Sequence, residues 1–385
     1  MARIHWIGTG LSTVPGIRRL IEQGRSITLW NRTVEKAHEA AAGLTGDFDI
    51  REFSMEALGS SVQPKDVVVS MLPGTWHAHI AELALDHGAH FVSSSYISDE
   101  MRALDERGRA AGLCLVNEVG LDPGLDHLLA HLLMADYRTS GTYDTGNAHA
   151  FRSYCGGFPK IPNDFRYKFS WSPLGVLKAL KSPSRSIAGG EVVDTARPWD
   201  ALSSYNAHLP GGEETFQAYP NRDSTPFMPE YGISADWNVQ EFVRGTLRLN
   251  GWSEAWADIF AEIETLSGEA GDTRLAEMSD QFWTAHAYDE GEPDRVVLCV
   301  ELEASHDGKS VWHKSYALDS IGNADGTAMA RLVSVPLSLA IEAVLDGKIE
   351  PGVSAAPNDV DLINSWLKVL KAGGETFALI DHLAQ

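Results

Sequence analysis

The 385-residue sequence predicts an α/β protein built on a doubly wound parallel sheet, and three observations carry that prediction. Short apolar runs alternate with helical patterns through roughly the first 120 residues. One run, at 66–71 (DVVVSM), is apolar almost throughout, as a strand covered on both faces must be. A pair of glycines, in Gly8-Thr9-Gly10, stands in the turn between the first strand and the first helix.

Residues 2–8 (ARIHWIG) form an apolar run that stops at glycine, and 11–23 carry Val14, Ile17, Leu20 and Ile21 at helical spacing. Residues 26–30 (SITLW) predict a second strand. The stretch 33–42 predicts a helix capped by Thr33, with Glu35 and Lys36 on its exposed face. Strands follow near 48–53 and at 66–71, then an amphipathic helix over 75–87, a strand at 90–93, a helix over 99–111 and a strand at 113–116. The result is a parallel sheet of about six strands.

Gly8 and Gly10 occupy the first two positions of a dinucleotide-binding fingerprint: the first allows the tight turn, and the second lets a pyrophosphate approach the backbone. The third position holds Thr13, so the match is incomplete. Leu11 begins the segment whose free N–H groups face the phosphates. At the end of the second strand an NAD enzyme places an acidic residue; here the chain reads Asn31-Arg32-Thr33. With no carboxylate to repel a 2'-phosphate, and a guanidinium and a hydroxyl to bind it, NADP is favoured and NAD is the alternative. The competing expectation is that Arg32 is a solvated loop residue.

The charge balance, 31 Lys+Arg against 53 Asp+Glu, leaves a net −22 and argues against nucleic acid or an anionic membrane surface as partner. A small-molecule substrate is expected instead. No apolar run approaches the roughly 20 residues of a membrane span, and the N-terminus lacks the order of a signal peptide, so the expected location is cytoplasmic. Three cysteines, Cys114, Cys155 and Cys299, lack metal-ligand spacing and predict reduced thiols. No metal is expected.

From Ser70 onward the sequence becomes more specific. Residues 70–98 read SMLPGTWHAHIAELALDHGAHFVSSSYIS and 117–127 read NEVGLDPGLDH. Then come SYCGG (153–157), YKFSWSPLGVL (167–177), YPNRDST (219–225), RGTLR (244–248), TAMARLVSVP (327–336) and VLDGK (344–348). In these blocks, in this order and over nearly the whole chain, the sequence resembles the L-glutamate-forming saccharopine dehydrogenases, also called saccharopine reductases. Two departures stand out: Thr13 replaces a small residue, and Ser334 replaces an expected glycine.

The resemblance implies interconversion of saccharopine, NADP+ and water with L-glutamate, 2-aminoadipate 6-semialdehyde and NADPH, a reaction of lysine metabolism. It also implies a homodimer and a Rossmann domain, 1–127 plus 326–385, completed by C-terminal helices. An inserted α/β domain, 128–325, would serve substrate binding and dimerisation. The residues support that layout. From about 128 to 325 the alternation gives way to scattered β patterns, such as 148–155 and a hairpin of 295–304 with 310–318 turned at Asp307-Gly308. Helix returns at 328–346, and an insertion of this kind predicts a cleft between domains.

Oxidising a secondary amine needs a proton relay, and the matched blocks hold Tyr96, Asp122, Cys155 and Lys168, with His77 and His127 nearby. By resemblance Tyr96, Asp122 and Cys155 line the substrate pocket, and a catalytic role for them is the working expectation. Asp122 is as well suited to hold the amine's positive charge as to move its proton. Gly156, Phe169, Ser170, Arg222, Arg244 and Thr246 are further substrate-binding candidates, and Leu72, Pro73 and Ser95 extend the cofactor site. Arginines suit the three carboxylates of saccharopine, with Arg222 first. Arg244 and Arg248 alternate with Val243 and Leu247 and so share one strand face, unless they are consumed by internal ion pairs. The blander expectations are a buried Cys155, a structural His127, and packing or surface positions for His77 and His79. A polyamine-directed relative such as carboxyspermidine dehydrogenase would need fewer arginines, and a nucleotide-sensing protein without activity would not need the pocket residues together. One site must catalyse both directions of the saccharopine reaction, so the resemblance implies the interconversion without a choice between lysine synthesis and breakdown.

Overall fold

The computed structural model describes residues 2–384. Its strands are, in chain order, β1 (Ile4–Ile7), β2 (Ile27–Asn31), β3 (Phe48–Glu52), β4 (Val67–Ser70), β5 (His90–Ser93), β6 (Cys114–Val116), β7 (Ala148–Pro159), β8 (Ser184–Ala188), β9 (Glu191–Thr195), β10 (Ser203–Leu209), β11 (Gly212–Pro220), β12 (Asn238–Arg248), β13 (Asp294–His306), β14 (Lys309–Ile321), β15 (Gly352–Ser354) and β16 (Phe377–Asp381). The chain divides into two compact units. One runs to Leu128 and resumes over Ala324–Leu370; the other comprises Leu129–Asn323 and the segment from Lys371. Assigning all of 326–385 to the nucleotide domain is therefore corrected at its end. There β16 pairs antiparallel with β14, Phe377 opposite Leu318 and Asp381 opposite Lys314, covering backbone groups that would otherwise form an open edge.

The first unit is a seven-stranded sheet in the order β15-β6-β5-β4-β1-β2-β3, with parallel neighbours throughout. The strand beyond the six expected is β15, whose three residues are too short to leave a periodic pattern. Strand order reverses between β1 and β4, which places the ligand crevice of such a sheet at the carboxyl ends of these strands. The helix Ala328–Leu345 packs against the helix Val14–Glu22. It is long and apolar enough by composition to cross a membrane, contrary to the expectation that no run comes close, but most of it is buried within the unit. Burial on several sides requires an apolar surface on several sides.

In the second unit β7 is central, parallel to β12 and antiparallel to β13. The predicted hairpin of β13 and β14 is present, turned by Asp307 (φ 48) and Gly308 (φ 73). Strand alternation sorts the side chains onto two faces. Tyr154, Phe158, Val243, Leu247, Val297 and Cys299 build an apolar core on one face. On the other, Tyr219 joins Tyr167, Phe169, Trp252 and Trp256 and the helices Pro173–Lys181, Ala257–Thr265 and Gly268–His286 in a second core.

Candidate active site

In the first unit the turn after β1 is shaped for a ligand. Gly8 has φ +94, and a Cβ there would meet the Met71 carbonyl oxygen at 3.2 Å, so glycine is required. A Cβ on Gly10 would meet nothing within 4 Å, leaving that backbone open to close approach. Thr13, in the third fingerprint position, donates its hydroxyl to the Gly10 carbonyl at 2.7 Å and ties the turn. Close packing passes to Gly16, where a Cβ would lie 2.2 Å from the Ser334 carbonyl oxygen. Ser334 also accepts the Gly16 N–H through Oγ at 2.9 Å. Of the two departures from the family pattern, Ser334 belongs to this helix–helix contact and Thr13 to the turn that leads into the first of the two helices.

Asn31 at the end of β2 donates to Thr9 Oγ1 at 2.8 Å, bracing the turn from the side. Arg32 and Thr33 are exposed, and among the described residues no carboxylate pairs with Arg32. Thr33 precedes the helix Val34–Ala40 but makes no side-chain cap, correcting the expected role and leaving its hydroxyl available. Leu11 and Pro73 are exposed and Leu72 half-buried. An open glycine, a helix start and an uncommitted Arg32 and Thr33 in place of an acidic residue fit NADP.

At the carboxyl ends of β5 and β6 the structure brings Tyr96 and Asp122 together: the Tyr96 hydroxyl donates to Asp122 Oδ1 at 3.1 Å. Both are half-buried. Beside them His77 is buried, not a surface residue; its Nδ1 lies 2.9 Å from Ser70 Oγ and its Nε2 2.8 Å from Ser95 Oγ. Desolvation pushes its pKa down to about 4, so the ring is neutral and relays one donor and one acceptor between the serines. Ser95 is thereby held next to Tyr96. His79 is exposed. His127 is buried, with Nε2 3.0 Å from the Glu118 carboxylate.

In the second unit Cys155 on β7 is the registered partner of Thr246 on β12, so the two side chains share a face. Arg244 and Arg248 lie on that face too, opposite Val243 and Leu247. Cys155 is buried and forms no disulfide. Arg244 is buried with its guanidinium 4.0 Å over the Phe227 ring. Its backbone is pinned by the YPNRDS block, Asn221 donating to its carbonyl at 2.8 Å and its own N–H donating to Ser224 Oγ at 3.0 Å. Arg222 is exposed, at φ +57. Arg248 is buried among Tyr167, Tyr219 and Trp252, its guanidinium carbon 5.0, 5.6 and 5.3 Å from those rings, and no carboxylate among the described residues pairs with it.

Three sequence candidates are corrected. Gly156 is explained by packing, since a Cβ there would lie 2.6 Å from the Leu247 carbonyl oxygen and 2.9 Å from Phe158. Phe169 is a core aromatic stacked on Phe282, with 1% of its surface exposed. Lys168 is engaged by Glu292, whose hydrogen bond raises its pKa and keeps it charged, so it is a poor proton shuttle. Ser170 is buried in the same block. The residues sequence reasoning missed are Glu118 and the pairing of His77; an acidic residue beside Asn117 inside the mostly apolar stretch 113–121 was the available signal for Glu118.

A Rossmann sheet with this turn and this pair of polar residues at its carboxyl edge defines an NAD(P)-dependent oxidoreductase. Residues 4–116 match the saccharopine dehydrogenase NADP binding domain, and 120–375 match the saccharopine dehydrogenase C-terminal domain. The chain belongs to the saccharopine dehydrogenase family. It is 30% identical to saccharopine dehydrogenase [NADP(+), L-glutamate-forming] of Pyricularia oryzae, over 95% of each chain. It is 28% identical to the mitochondrial alpha-aminoadipic semialdehyde synthase of Rattus norvegicus, over 84% of this chain and 41% of that protein. Apo saccharopine dehydrogenase (L-Glu forming) from Saccharomyces cerevisiae superposes with a TM-score of 0.80 at 25% identity, over 99% of this chain and 100% of the other.

Proposed function

We propose that this protein is an NADP-dependent, L-glutamate-forming saccharopine dehydrogenase, interconverting saccharopine, NADP+ and water with L-glutamate, 2-aminoadipate 6-semialdehyde and NADPH. The observation that carries the proposal is the Tyr96–Asp122 pair at the carboxyl edge of a sheet whose cofactor turn lacks an acidic residue beside Arg32. End-to-end likeness to enzymes of that name supports it. Gly8, Gly10, Thr13, Asn31, Arg32 and Thr33 would hold NADP, which when bound accepts hydride from the carbon next to the substrate nitrogen.

The chain's own residues bind, orient and move protons. Asp122, which accepts the Tyr96 hydroxyl, holds the substrate's ammonium group and receives its proton. Loss of that proton and of hydride leaves a protonated imine; water adds to its carbon, and the carbinolamine collapses to amine and aldehyde as the proton from the added water passes to nitrogen. Arg222 and Arg244 bind substrate carboxylates, Arg244 with its stem fixed and its guanidinium plane set by Phe227. Thr246 and Cys155 add neutral contacts along the same strand face. The protein works as a homodimer in the cytoplasm; three buried cysteines outside any disulfide suit a reducing compartment.

Purified protein incubated with saccharopine should reduce NADP+, followed at the NADPH absorbance, with L-glutamate as a product. No reduction with either cofactor would sink the proposal. Light scattering after gel filtration checks the dimer, a single-chain mass counting against it, and fractionation of the source cells checks the location, where recovery outside the cytosol would count against it.

A further inference from the structure

Glu118 takes no part in the reaction set out above, yet it is buried, 4% exposed, and has φ +56, a left-handed backbone that is uncommon for a residue with a side chain. Its contacts explain both facts. The Glu118 N–H donates to the Ser95 carbonyl at 3.1 Å, and its carboxylate Oε1 accepts the Ile97 N–H at 2.9 Å. The residues on either side of Tyr96 are therefore gripped by one residue. The other oxygen, Oε2, lies 3.0 Å from His127 Nε2. On the far side of that ring, Nδ1 is 3.8 Å from the Asp126 carboxylate, which accepts the Gly124 N–H at 2.7 Å.

Gly124 stands two residues beyond Asp122. The contacts thus run from the flanks of Tyr96, through Glu118, His127 and Asp126, to the turn that carries Asp122, entirely within the first unit. We propose that Glu118 is a positioning residue, the centre of a buried brace that sets the Tyr96 hydroxyl on the Asp122 carboxylate. A buried carboxylate with one oxygen hydrogen-bonded to a backbone N–H and the other 3.0 Å from a buried imidazole is costly to rearrange, and so it holds geometry well. The left-handed backbone lets N–H and carboxylate both reach the 95–97 segment; a strand conformation would point them apart. The inference rests on the proposed role of Tyr96 and Asp122.

The test uses the full chain with Glu118→Gln, which keeps an oxygen for the Ile97 N–H and removes the charge facing His127. Thermal unfolding, NADPH affinity, kcat, KM and the pH profile are measured in the parent, in Glu118→Gln, in Tyr96→Phe and in the double variant. A brace predicts NADPH affinity within about twofold of the parent, a kcat at least tenfold lower and a displaced pH profile. In the Tyr96→Phe background the same change should cost less than threefold, because the geometry it protects is already gone. His127→Asn, which cuts the brace in its middle and spares both Glu118 backbone contacts, should give a smaller loss of the same kind. An unchanged kcat, or a loss that multiplies in full on Tyr96→Phe, overturns the proposal. If the parent does not turn over saccharopine, the functional proposal fails alone. The brace is then read without substrate, from the Tyr96 phenol titration by ultraviolet difference against Tyr96→Phe; a Tyr96 titration unmoved by Glu118→Gln refutes it.

Discussion

Replacing Gly16 by alanine probes the contact that sets the cofactor turn. The added Cβ would lie 2.2 Å from the Ser334 carbonyl oxygen, 2.7 Å from its carbon and 2.9 Å from its Cβ, where ordinary contact begins at 3.4 Å. The nearest atoms are backbone, so no side chain can rotate away, and the helices Val14–Glu22 and Ala328–Leu345 must part by about 1 Å. Overpacking of this kind costs about 1–3 kcal/mol, and the Gly16 N–H also loses its bond to Ser334 Oγ. Alanine's better helix propensity returns at most about 1 kcal/mol. The balance is a loss of about 2 kcal/mol, or a fall of roughly 4–8 °C in the Tm of a unit of this size. Thr13 and the Gly10 carbonyl it holds lie just ahead of the displaced helix, so NADPH should also bind several-fold more weakly. Calorimetry and NADPH fluorescence titration read the two effects. Ser334→Gly should not rescue, because it removes the 2.9 Å contact and leaves the 2.2 Å one. Parental Tm and parental NADPH affinity in Gly16→Ala would refute the reasoning.

Arg32→Ala should lower kcat/KM for NADP+ by roughly tenfold or more while leaving NAD+ nearly unchanged, as loss of a charge-assisted phosphate contact requires; equal losses with both cofactors would place Arg32 outside the phosphate site. His77 is neutral when folded, with its pKa at about 4 against 6.5 for the free side chain, so the unfolded state binds the extra proton. Its contribution is therefore intact above pH 6.5 and is lost as pH falls from 6.5 toward 4, by about 3 kcal/mol in full. His77→Gln should show a shallower decline of Tm over that window, and a parallel decline would contradict the assignment. Substrate capture should lack the steep salt dependence of an electrostatically steered enzyme, since the net −22 opposes an anionic substrate and screening relieves that repulsion. A sharp loss of kcat/KM between low and physiological salt would indicate a dominant positive cleft.

The nucleotide half was legible because its signals are local. Buried parallel strands write continuous apolar runs, and the glycine turn, the Asn31-Arg32-Thr33 stretch and the β13–β14 hairpin all lie within a few residues of their cause. What was not legible depends on partners distant in the chain. Ser334 looked like a defect until the fold set it against Gly16, more than three hundred residues earlier. Gly156 and Phe169 sit in blocks that also hold Cys155 and Ser170, and only the alternation of the folded strand and the neighbouring helices show that these two face a core. The terminal strand β16 carries no mark of the sheet it joins.

By itself, then, the sequence determined the class of fold, the cofactor turn and its preference for NADP, and a short set of polar residues able to serve amine oxidation, because each follows from residue type and near spacing. Tertiary structure alone decided which of those residues work together. Tyr96 reaches Asp122, and Glu118 grips both flanks of Tyr96, only because the ends of β5 and β6 lie side by side in the sheet, and hydrogen bonds are too short-ranged to be read from separation along a chain.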